Sequence, residues 1–410
     1  MNRTVLTILV ITFFIAVDYF FFKALKDSIR NFQASTQRWV TLGYWAIPVI
    51  FILGFIYLFF LAPETTSPKI KRYFGVAVFM IYSSKMIGAI VYLLGNGLNI
   101  LKNTGRKIIH PSSTEPILTR SEFIAKSAMA LGVTQFGILT YGILSGAYDY
   151  RVRRVSLPLK GLPKQFHGMT LAQLSDIHSG SFYNKKAVNG GIDMLLAEKP
   201  DVVFFTGDLV NDRATELQEY FDTFKRVQAP LGVFSTLGNH DYGDYASWAS
   251  PRAKQQNLLN LMEGHRLMGW DLLMDENRSI TLGGEKLGII GIQNWGAGFT
   301  QKGDLKKALQ GSEEFTNKLL LSHDPSHWRA QVLGQTDIDA AFAGHTHGMQ
   351  FGIEIPGFRW SPAQYRYKEW AGMYEENGQM LYVNRGFGFL GYPGRVGILP
   401  EITIFTLQAV

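Results

Sequence analysis

Ala340-Ala341-Phe342-Ala343-Gly344-His345-Thr346-His347 is a short apolar run that breaks at a glycine and then presents two imidazoles one residue apart. An apolar run of this length reads as a buried strand, and the loop at its end can project both rings toward a common ligand. Surface histidines outnumber metal ligands, so a His-x-His gains weight only if other ligand types end other strands.

Four further stretches meet that condition. Met169–Leu174 is a short buried-type strand running into Asp176-Ile177-His178, and Val202–Phe205 runs into Gly207-Asp208. Gly232–Leu237 leads into Gly238-Asn239-His240-Asp241, and Leu319–Ser322 into His323-Asp324-Pro325. Lys185–Lys199 has helical spacing with Pro200 as its stop, and Ala253–Glu263 is a second helical segment. Strand, helix, strand implies parallel pairing, and open α/β sheets present ligands at the carboxyl ends of such strands. Trp270–Met274, Ser279–Leu282 and Lys286–Gln293, separated by Asp275-Glu276-Asn277 and Gly283-Gly284, imply a second sheet. Met380–Asn384 and Glu401–Leu407 close the chain as strands, and Arg151–Leu159 opens this part as another.

The 410 residues include no cysteine, which excludes disulfides, thiolate metal sites and cysteine nucleophiles. The net charge of +7 is unevenly spread: residues 1–154 carry 17 Lys+Arg against 6 Asp+Glu, residues 155–410 carry 23 against 27. The basicity belongs to the first part, and the remainder lacks the surface that a polyanion needs; no nucleic-acid partner is expected.

That first part reads as membrane, with the lipid bilayer as its partner. Thr4–Leu25, Leu42–Ala62, Tyr73–Leu94 and Ala125–Tyr148 are each about 20 residues and mainly apolar, the length that crosses about 30 Å of hydrocarbon. The first apolar stretch is long for a signal peptide and no small-residue cleavage site follows it. Asp18 and Lys85 fall inside spans, where helix contacts and snorkelling explain charges more often than function does. Lys26, Arg30, Arg38, Lys102, Arg106, Lys107, Arg120 and Lys126 fall on one side of a four-span protein. The tightest basic clusters, Lys69 to Arg72 and Arg151 to Arg154, fall on the other and point to a cytoplasmic C-terminal domain.

Taken in order, Asp176/His178, Gly207-Asp208, Gly238–Asp241, His323 and Gly344–His347 resemble the five motifs of the calcineurin-like metallophosphoesterases, and five of the nine histidines fall in them. Arg385-Gly386-Phe387-Gly388 and Pro400-Glu401-Ile402-Thr403 resemble the membrane-associated phosphodiesterase-like branch. The resemblance covers about residues 168–410. It implies an α/β metallophosphoesterase domain at 168–410, a two-sheet β-sandwich flanked by helices, while the apolar spans and the composition place an N-terminal four-helix transmembrane region at 1–150 and a linker with an edge strand at 151–167 before it. It also implies two divalent metal ions, Mn, Fe or Zn, with Asp208 as bridge. Asp176, His178 and His347 complete one metal, and Asn239, His323 and His345 the other. A bridging hydroxide would attack the phosphorus. His240 would face the substrate, and Asp241 would hold its other ring nitrogen.

Some residues are left with two readings. His110, His167, His265 and His327 read as ordinary loop or surface histidines, and Asn211 and Asp212 as loop-opening or capping residues. Arg385 is assigned to a substrate phosphate, with a structural salt bridge as the alternative. Phe351–Trp370 interleaves Phe358, Trp360, Tyr365, Tyr367 and Trp370 with Arg359, Arg366 and Lys368. That mix suits a lipid-facing lip, against an ordinary loop packing its aromatics over the site. The expected function is a multi-pass, membrane-anchored phosphoesterase acting on a phosphodiester or pyrophosphate. An amphiphile such as a phospholipid or UDP-diacylglucosamine leads over a soluble nucleotide, because the spans keep the site near lipid. The competing class is a non-catalytic metal-binding sensor or scaffold, which has no need of a substrate-facing His240.

Overall fold

The computed structural model describes residues 3–61, 68–109 and 118–410. His110 lies outside them, as do Ala62 at the end of the second expected span and the side chains of Lys69, Lys102, Arg106, Lys107 and Arg120. The chain forms two compact units, Met1–Tyr141 and Gly142–Val410.

The first unit is built of α1 (Arg3–Ser28), α2 (Ala34–Ile56), α3 (Pro68–Ile109) and α4 (Leu118–Leu144), whose last turn passes into the second unit. Among the described residues, Ala34–Ile56, Ile70–Gly97 and Ser121–Tyr148 are long and apolar enough to cross a membrane. The other expected span, Thr4–Leu25, lies within the 26 residues of α1. Large apolar side chains such as Ile15, Ile50, Leu53, Leu94 and Val133 face outward, the reverse of a water-soluble bundle. Where helices meet, small residues let backbones approach: a Cβ on Gly88 would stand 2.9 Å from the Ala128 carbonyl. Asp18 and Lys85 are buried and paired at 2.6 Å. The Tyr82 hydroxyl donates to Asp18 Oδ2 at 2.9 Å and that of Tyr44 to Oδ1 at 3.1 Å. Neither charge faces lipid, so the pair joins α1 to α3 within this unit, as the helix-contact reading expects.

The second unit contains fourteen strands in three sheets. These are β1 (Arg151–Leu159), β2 (Thr170–Leu174), β3 (Val202–Phe205), β4 (Val233–Ser235), β5 (Asp271–Leu272), β6 (Glu276–Leu282), β7 (Glu285–Gly291), β8 (Asn317–Leu321), β9 (Ala340–Ala343), β10 (Ile353–Ile355), β11 (Phe358–Trp360), β12 (Gly372–Glu376), β13 (Gln379–Val383) and β14 (Glu401–Ala409). One six-stranded sheet runs β1-β14-β2-β3-β4-β5 and the other β12-β13-β9-β8-β7-β6; β10 and β11 form a ribbon of their own. β2 to β5 are parallel, as are β7, β8, β9 and β13.

Period-two alternation explains the layering. Val202 and Phe204 of β3 point between the sheets, where they meet Leu319 of β8 and Phe342 of β9. Val203 and Phe205 point the other way, onto α5 (Lys185–Ala197), α6 (Phe221–Lys225) and α7 (Pro251–Met268) through Leu195, Phe224 and Leu261. On the second sheet, Leu320 and Ala341 turn outward to Leu305 of α8 (Leu305–Ala308) and to Trp328 and Val332. Strands buried on both faces read as unbroken apolar runs, which is why the central ones were visible in sequence. The expected turn at Asp275-Glu276-Asn277 is shorter, because β6 already begins at Glu276 and pairs with Gly291.

Phe351–Trp370 is neither a bare loop nor a row of exposed rings. It folds as the β10–β11 ribbon and a short helical turn, with Trp370 buried and Trp360 half-buried.

Arg385 requires a correction. It is 1% exposed, and its guanidinium donates to Glu401 Oε2 at 2.5 Å and to Glu354 Oε1 at 2.7 Å. The salt bridge takes the place of the substrate contact: both terminal nitrogens are spent tying the end of β13 to β14 and to the ribbon. Glu401 is fully buried and also accepts from Tyr382 and Thr403. Burial pushes its carboxyl up, but Arg385 and Arg153 hold it below the ordinary range.

His265 and His327 are also not surface groups. Both are fully buried, with Nδ1 of each at 3.0 and 2.9 Å from Ser235 Oγ and Ser322 Oγ. Burial lowers His265 to about 3 and His327 to about 4.

Two predictions follow from these buried groups. Glu401→Gln leaves the Arg385 charge without its main partner and should cost about 3–5 kcal/mol of stability, read from denaturant unfolding of the purified chain; a loss below about 1 kcal/mol would contradict the burial of the pair. For His265, the unfolded state takes up its proton near 6.5 and the folded state only near 3. Stability is therefore fully present above 6.5 and falls with pH through that window. His265→Gln should flatten the acid side of the melting-temperature profile, and an unchanged slope would mean that His265 is not buried neutral.

Candidate metal centre

Each of the five loops leaves the carboxyl end of a strand: β2 for Asp176 and His178, β3 for Asp208, β4 for Asn239 to Asp241, β8 for His323 and β9 for His345 and His347. The two sheets thus deliver their polar residues to one edge of the sandwich. The turns are tight and left-handed. Asp176, His178, Asp208, His345 and His347 all have φ between 49° and 68°, a region that non-glycine residues enter at a cost and mainly at functional sites. Gly344 is required by close approach, since a Cβ there would lie 2.1 Å from Asp176 Oδ2.

Asp176, His178 and His347 form one group able to hold a metal ion, and Asp208, His323 and His345 another. His178 Nε2 is 3.0 Å from His347 Nε2, and His347 Nε2 is 3.2 Å from Asp176 Oδ1. Asp208 Oδ2 lies 3.4 Å from His178 Nε2 and 3.2 Å from His323 Nε2, so one oxygen touches both groups. Asn239 Oδ1 joins the second group at 2.8 Å from His345 Nδ1.

The donor set fits divalent cations. Separations of 3.0–3.4 Å match those between donors each about 2.1 Å from a common ion. Among the described residues, the ion pairs of Asp176 and Asp208 are to imidazoles alone, with no Lys or Arg. His323 donates Nδ1–H to the Thr206 carbonyl at 2.7 Å, which leaves Nε2 as the ring nitrogen facing Asp208. Burial lowers His323, yet Asp208 raises it to about 10, so the buried carboxylates demand positive charge here. Burial also pushes His178 well down and His345 to about 4, keeping those rings neutral and able to ligate. Burial raises Asp176 and Asp208, but the charges of His347 beside the first and His323 beside the second hold both below the carboxylate range.

His240 stands beside this cluster, its backbone N–H donating to Asp208 Oδ1 at 2.9 Å and its ring edge-on to His178 with centroids 5.0 Å apart. Its Nδ1 donates to the Asn211 carbonyl at 2.7 Å. Asp241 therefore does not hold that ring, which corrects the role expected of it. Its carboxylate accepts from the amides of Asp208 and Gly238 at 2.9 Å through Oδ2, and of Leu209 and Val210 at 2.9 and 3.3 Å through Oδ1. The short side chain is drawn to four convergent amide dipoles, and it clamps the β3 loop to the β4 loop. Burial and then the neighbouring Asp208 raise it to about 7.

Three contributors were given no role from the sequence. Asp324 is 1% exposed, and its Oδ2 has no hydrogen-bond partner and lies 3.6 Å from His345 Nε2. The Tyr367 hydroxyl is 2.8 Å from that same nitrogen. Arg395, also 1% exposed, lies 3.1 Å from His347 Nδ1 and donates to the carbonyls of Gly386 and Gly388. Asp324 was readable only as the neighbour of His323. Tyr367 lay within the aromatic stretch but had no partner there, and nothing marked Arg395.

The chain matches two family models. Residues 2–147 match "Probable Calcineurin-like phosphoesterase, transmembrane domain", and residues 169–349 match "Calcineurin-like phosphoesterase". It is 25% identical over 382 residues to a transmembrane protein with metallophosphoesterase domain of Danio rerio, covering 89% of this chain and 80% of that one. It is 28% identical over 291 residues to the metallophosphoesterase YkuE of Bacillus subtilis, covering 67% and 95%. It is also 28% identical over 280 residues to the UDP-2,3-diacylglucosamine pyrophosphatase LpxG of Chlamydia trachomatis, covering 55% and 81%. With an apolar helical region, a two-sheet α/β unit and paired His/Asp groups at the strand ends, the chain belongs to the calcineurin-like metallophosphoesterases and is a membrane-bound phosphoester hydrolase.

Proposed function

We propose that this chain is a multi-pass dinuclear-metal phosphoesterase that hydrolyses a pyrophosphate or phosphodiester bond of a lipid-linked substrate, with its catalytic unit on the cytoplasmic side. The observation that carries the dinuclear reading is the position of Asp208 Oδ2 within 3.4 Å of both metal-binding groups. A carboxylate spans two cations, where an imidazole ordinarily binds one. Asp176, His178 and His347 would hold one ion, Asn239, His323 and His345 the other, with Asp208 between them. Two divalent ions bound there would neutralise the non-bridging phosphate oxygens and lower the pKa of a water; N/O donors suit Mn, Fe and Zn alike.

The chain's own residues do the rest. His240 has Nδ1 fixed on the Asn211 carbonyl, so its Nε2 is the atom left to meet substrate and, when protonated, to donate to the departing oxygen. Asp241 keeps the Asp208 and His240 loops in register through its four amide contacts. Asp324 and Tyr367 orient His345 from behind, as outer carboxylates and hydroxyls do for metal-ligating imidazoles. A lipid-linked pyrophosphate is supported by the LpxG relatives and by the apolar helices that confine the site near lipid. The sensor or scaffold reading gives no account of a fixed imidazole beside both groups.

Asp208→Asn should abolish hydrolysis of a chromogenic phosphodiester and lower bound metal, whereas His240→Ala should cut turnover about 100-fold or more with metal retained; equal metal loss in both would overturn the separation of roles. Vesicle-presented UDP-diacylglucosamine should be cleaved in preference to a soluble dinucleotide pyrophosphate. The opposite preference would remove the lipid-linked substrate and leave the hydrolase.

A further inference from the structure

The β10–β11 ribbon is turned inside out. In its antiparallel register Ile353 stands opposite Trp360 and Ile355 opposite Phe358, so four apolar side chains share one face, while Glu354 and Arg359 share the other. On a water-soluble domain the apolar face of such a ribbon packs down and the polar face meets solvent. Here Glu354 turns inward and three of the four apolar side chains turn outward, although Arg359 stays exposed and Trp360 is half-buried. Glu354 reaches into the unit, accepting from Arg153 and Arg385, each at 2.7 Å, and the Arg359 guanidinium lies 5.0 Å from the centre of the Trp370 ring. Ile353, Ile355 and Phe358 are left 49%, 58% and 52% exposed.

The ribbon is also held out firmly. Its root is bridged to Val396 through Phe351, and the Gly352 amide donates to the Val396 carbonyl at 2.9 Å. Gly397, at φ 75°, permits that approach, since a Cβ there would meet the Gly352 carbonyl at 1.9 Å. Pro356 and Gly357 close the tip, and Gly357 takes φ 78°. A two-stranded ribbon gains little from its own hydrogen bonds in water. This one is fixed by the two ion pairs of Glu354, which draw that side chain inward and leave Ile353, Ile355 and Phe358 outward.

We propose that the tip of this ribbon, Ile353, Ile355 and Phe358, inserts into the interfacial layer of an anionic phospholipid bilayer. Three observations favour that occupant. The chain is itself a membrane protein, so a bilayer surface is always at hand. Tyr365 is 79% exposed, and Arg366 and Lys368 follow it on the surface, an amphipathic ring with two cations of the kind that seat at headgroups. The ribbon's one carboxylate, Glu354, is already neutralised by two arginines. A second copy fits less well, because a two-fold contact through this patch would bring Arg366 and Lys368 against their own counterparts. The inference rests on membrane attachment and not on the identity of the substrate.

The natural chain has no cysteine, so Phe358→Cys gives a single labelling site for a polarity-sensitive fluorophore on the full-length protein in anionic vesicles. Asn377→Cys, in the exposed turn between β12 and β13, serves as the control. The label at 358 should shift to the blue on transfer from detergent to vesicles and lose intensity to nitroxide-bearing lipids, more in anionic than in zwitterionic vesicles, while the label at 377 stays unchanged. The same response should persist in an Asp208→Asn background, which separates this inference from the catalytic reading. Ile355→Asp, an exposed substitution, should abolish the lipid quenching seen from a Tyr365→Cys label while leaving hydrolysis of a soluble diester intact. Absence of quenching at 358 would overturn the proposal. So would energy transfer between labelled copies in detergent that rises with protein concentration, since that would make the ribbon a contact between copies.

Discussion

Two carboxylates buried opposite imidazoles govern this unit. Asp176 and Asp208 are removed from water and have only histidine nitrogens as ion-pair partners among the described residues. A buried charge is tolerated only when its surroundings are built for it, and much of the local geometry is that construction. Five non-glycine residues adopt left-handed backbone to aim their side chains inward, each at a cost of about 1–3 kcal/mol. Amides are recruited as well: His345 N–H donates to both oxygens of Asp176, and His240 N–H to Asp208. Gly344 can be only a glycine because Asp176 occupies the space of a Cβ. The sandwich supplies the rigidity that holds these groups in place.

That rigidity comes from ordinary hydrophobic layering, and this explains what could be read in advance. β3, β9 and Leu319–Leu321 of β8 are buried on both faces and appear in sequence as uninterrupted apolar runs, so their ends, where the candidate ligands stand, were marked by abrupt polar clusters. The expected metal ligands come together because strand ends converge and strand ends were visible. What stayed hidden acts through atoms that carry no residue signature. The partner of His240 Nδ1 is the backbone carbonyl of Asn211, which any residue could have offered. Asp241, next in sequence to His240, looked like its orienting carboxylate but points back to the amides of the β3 loop. Adjacency in sequence on a tight turn sends neighbouring side chains in opposite directions.

The two arginines of the closing segment show the same limit. Arg385 and Arg395 both lie among glycines and both are buried, yet one is consumed by Glu401 and Glu354 while the other stands beside His347. Their assignment depends on which carboxylates fold next to them, a long-range fact. The inverted ribbon was hidden for a related reason. Ile-Glu-Ile and Phe-Arg-Trp alternate as any half-buried strands do, and alternation fixes which side chains share a face without saying which face meets the core. The ion pairs of Glu354 decide it.

Arg395 also bears on where the catalytic unit begins. Its side chain reaches His347, while its backbone N–H donates to the Gly142 carbonyl in the last turn of α4 at 3.1 Å. Gly142 and Gly146 both lie against the Tyr392–Val396 segment so closely that a Cβ on Gly146 would stand 2.1 Å from the Arg395 carbonyl. Tyr183 adds a hydroxyl bonded to the Ile143 carbonyl. The turn that presents Arg395 is therefore completed by residues at the end of a helix long enough to cross a membrane. A boundary drawn at Arg151, where the first strand starts, would cut through this contact; one drawn at Gly142 preserves it. Since the surroundings of His347 depend on how that turn is held, the residues between Gly142 and Tyr150 belong with the catalytic unit by their chemistry as well as by their packing.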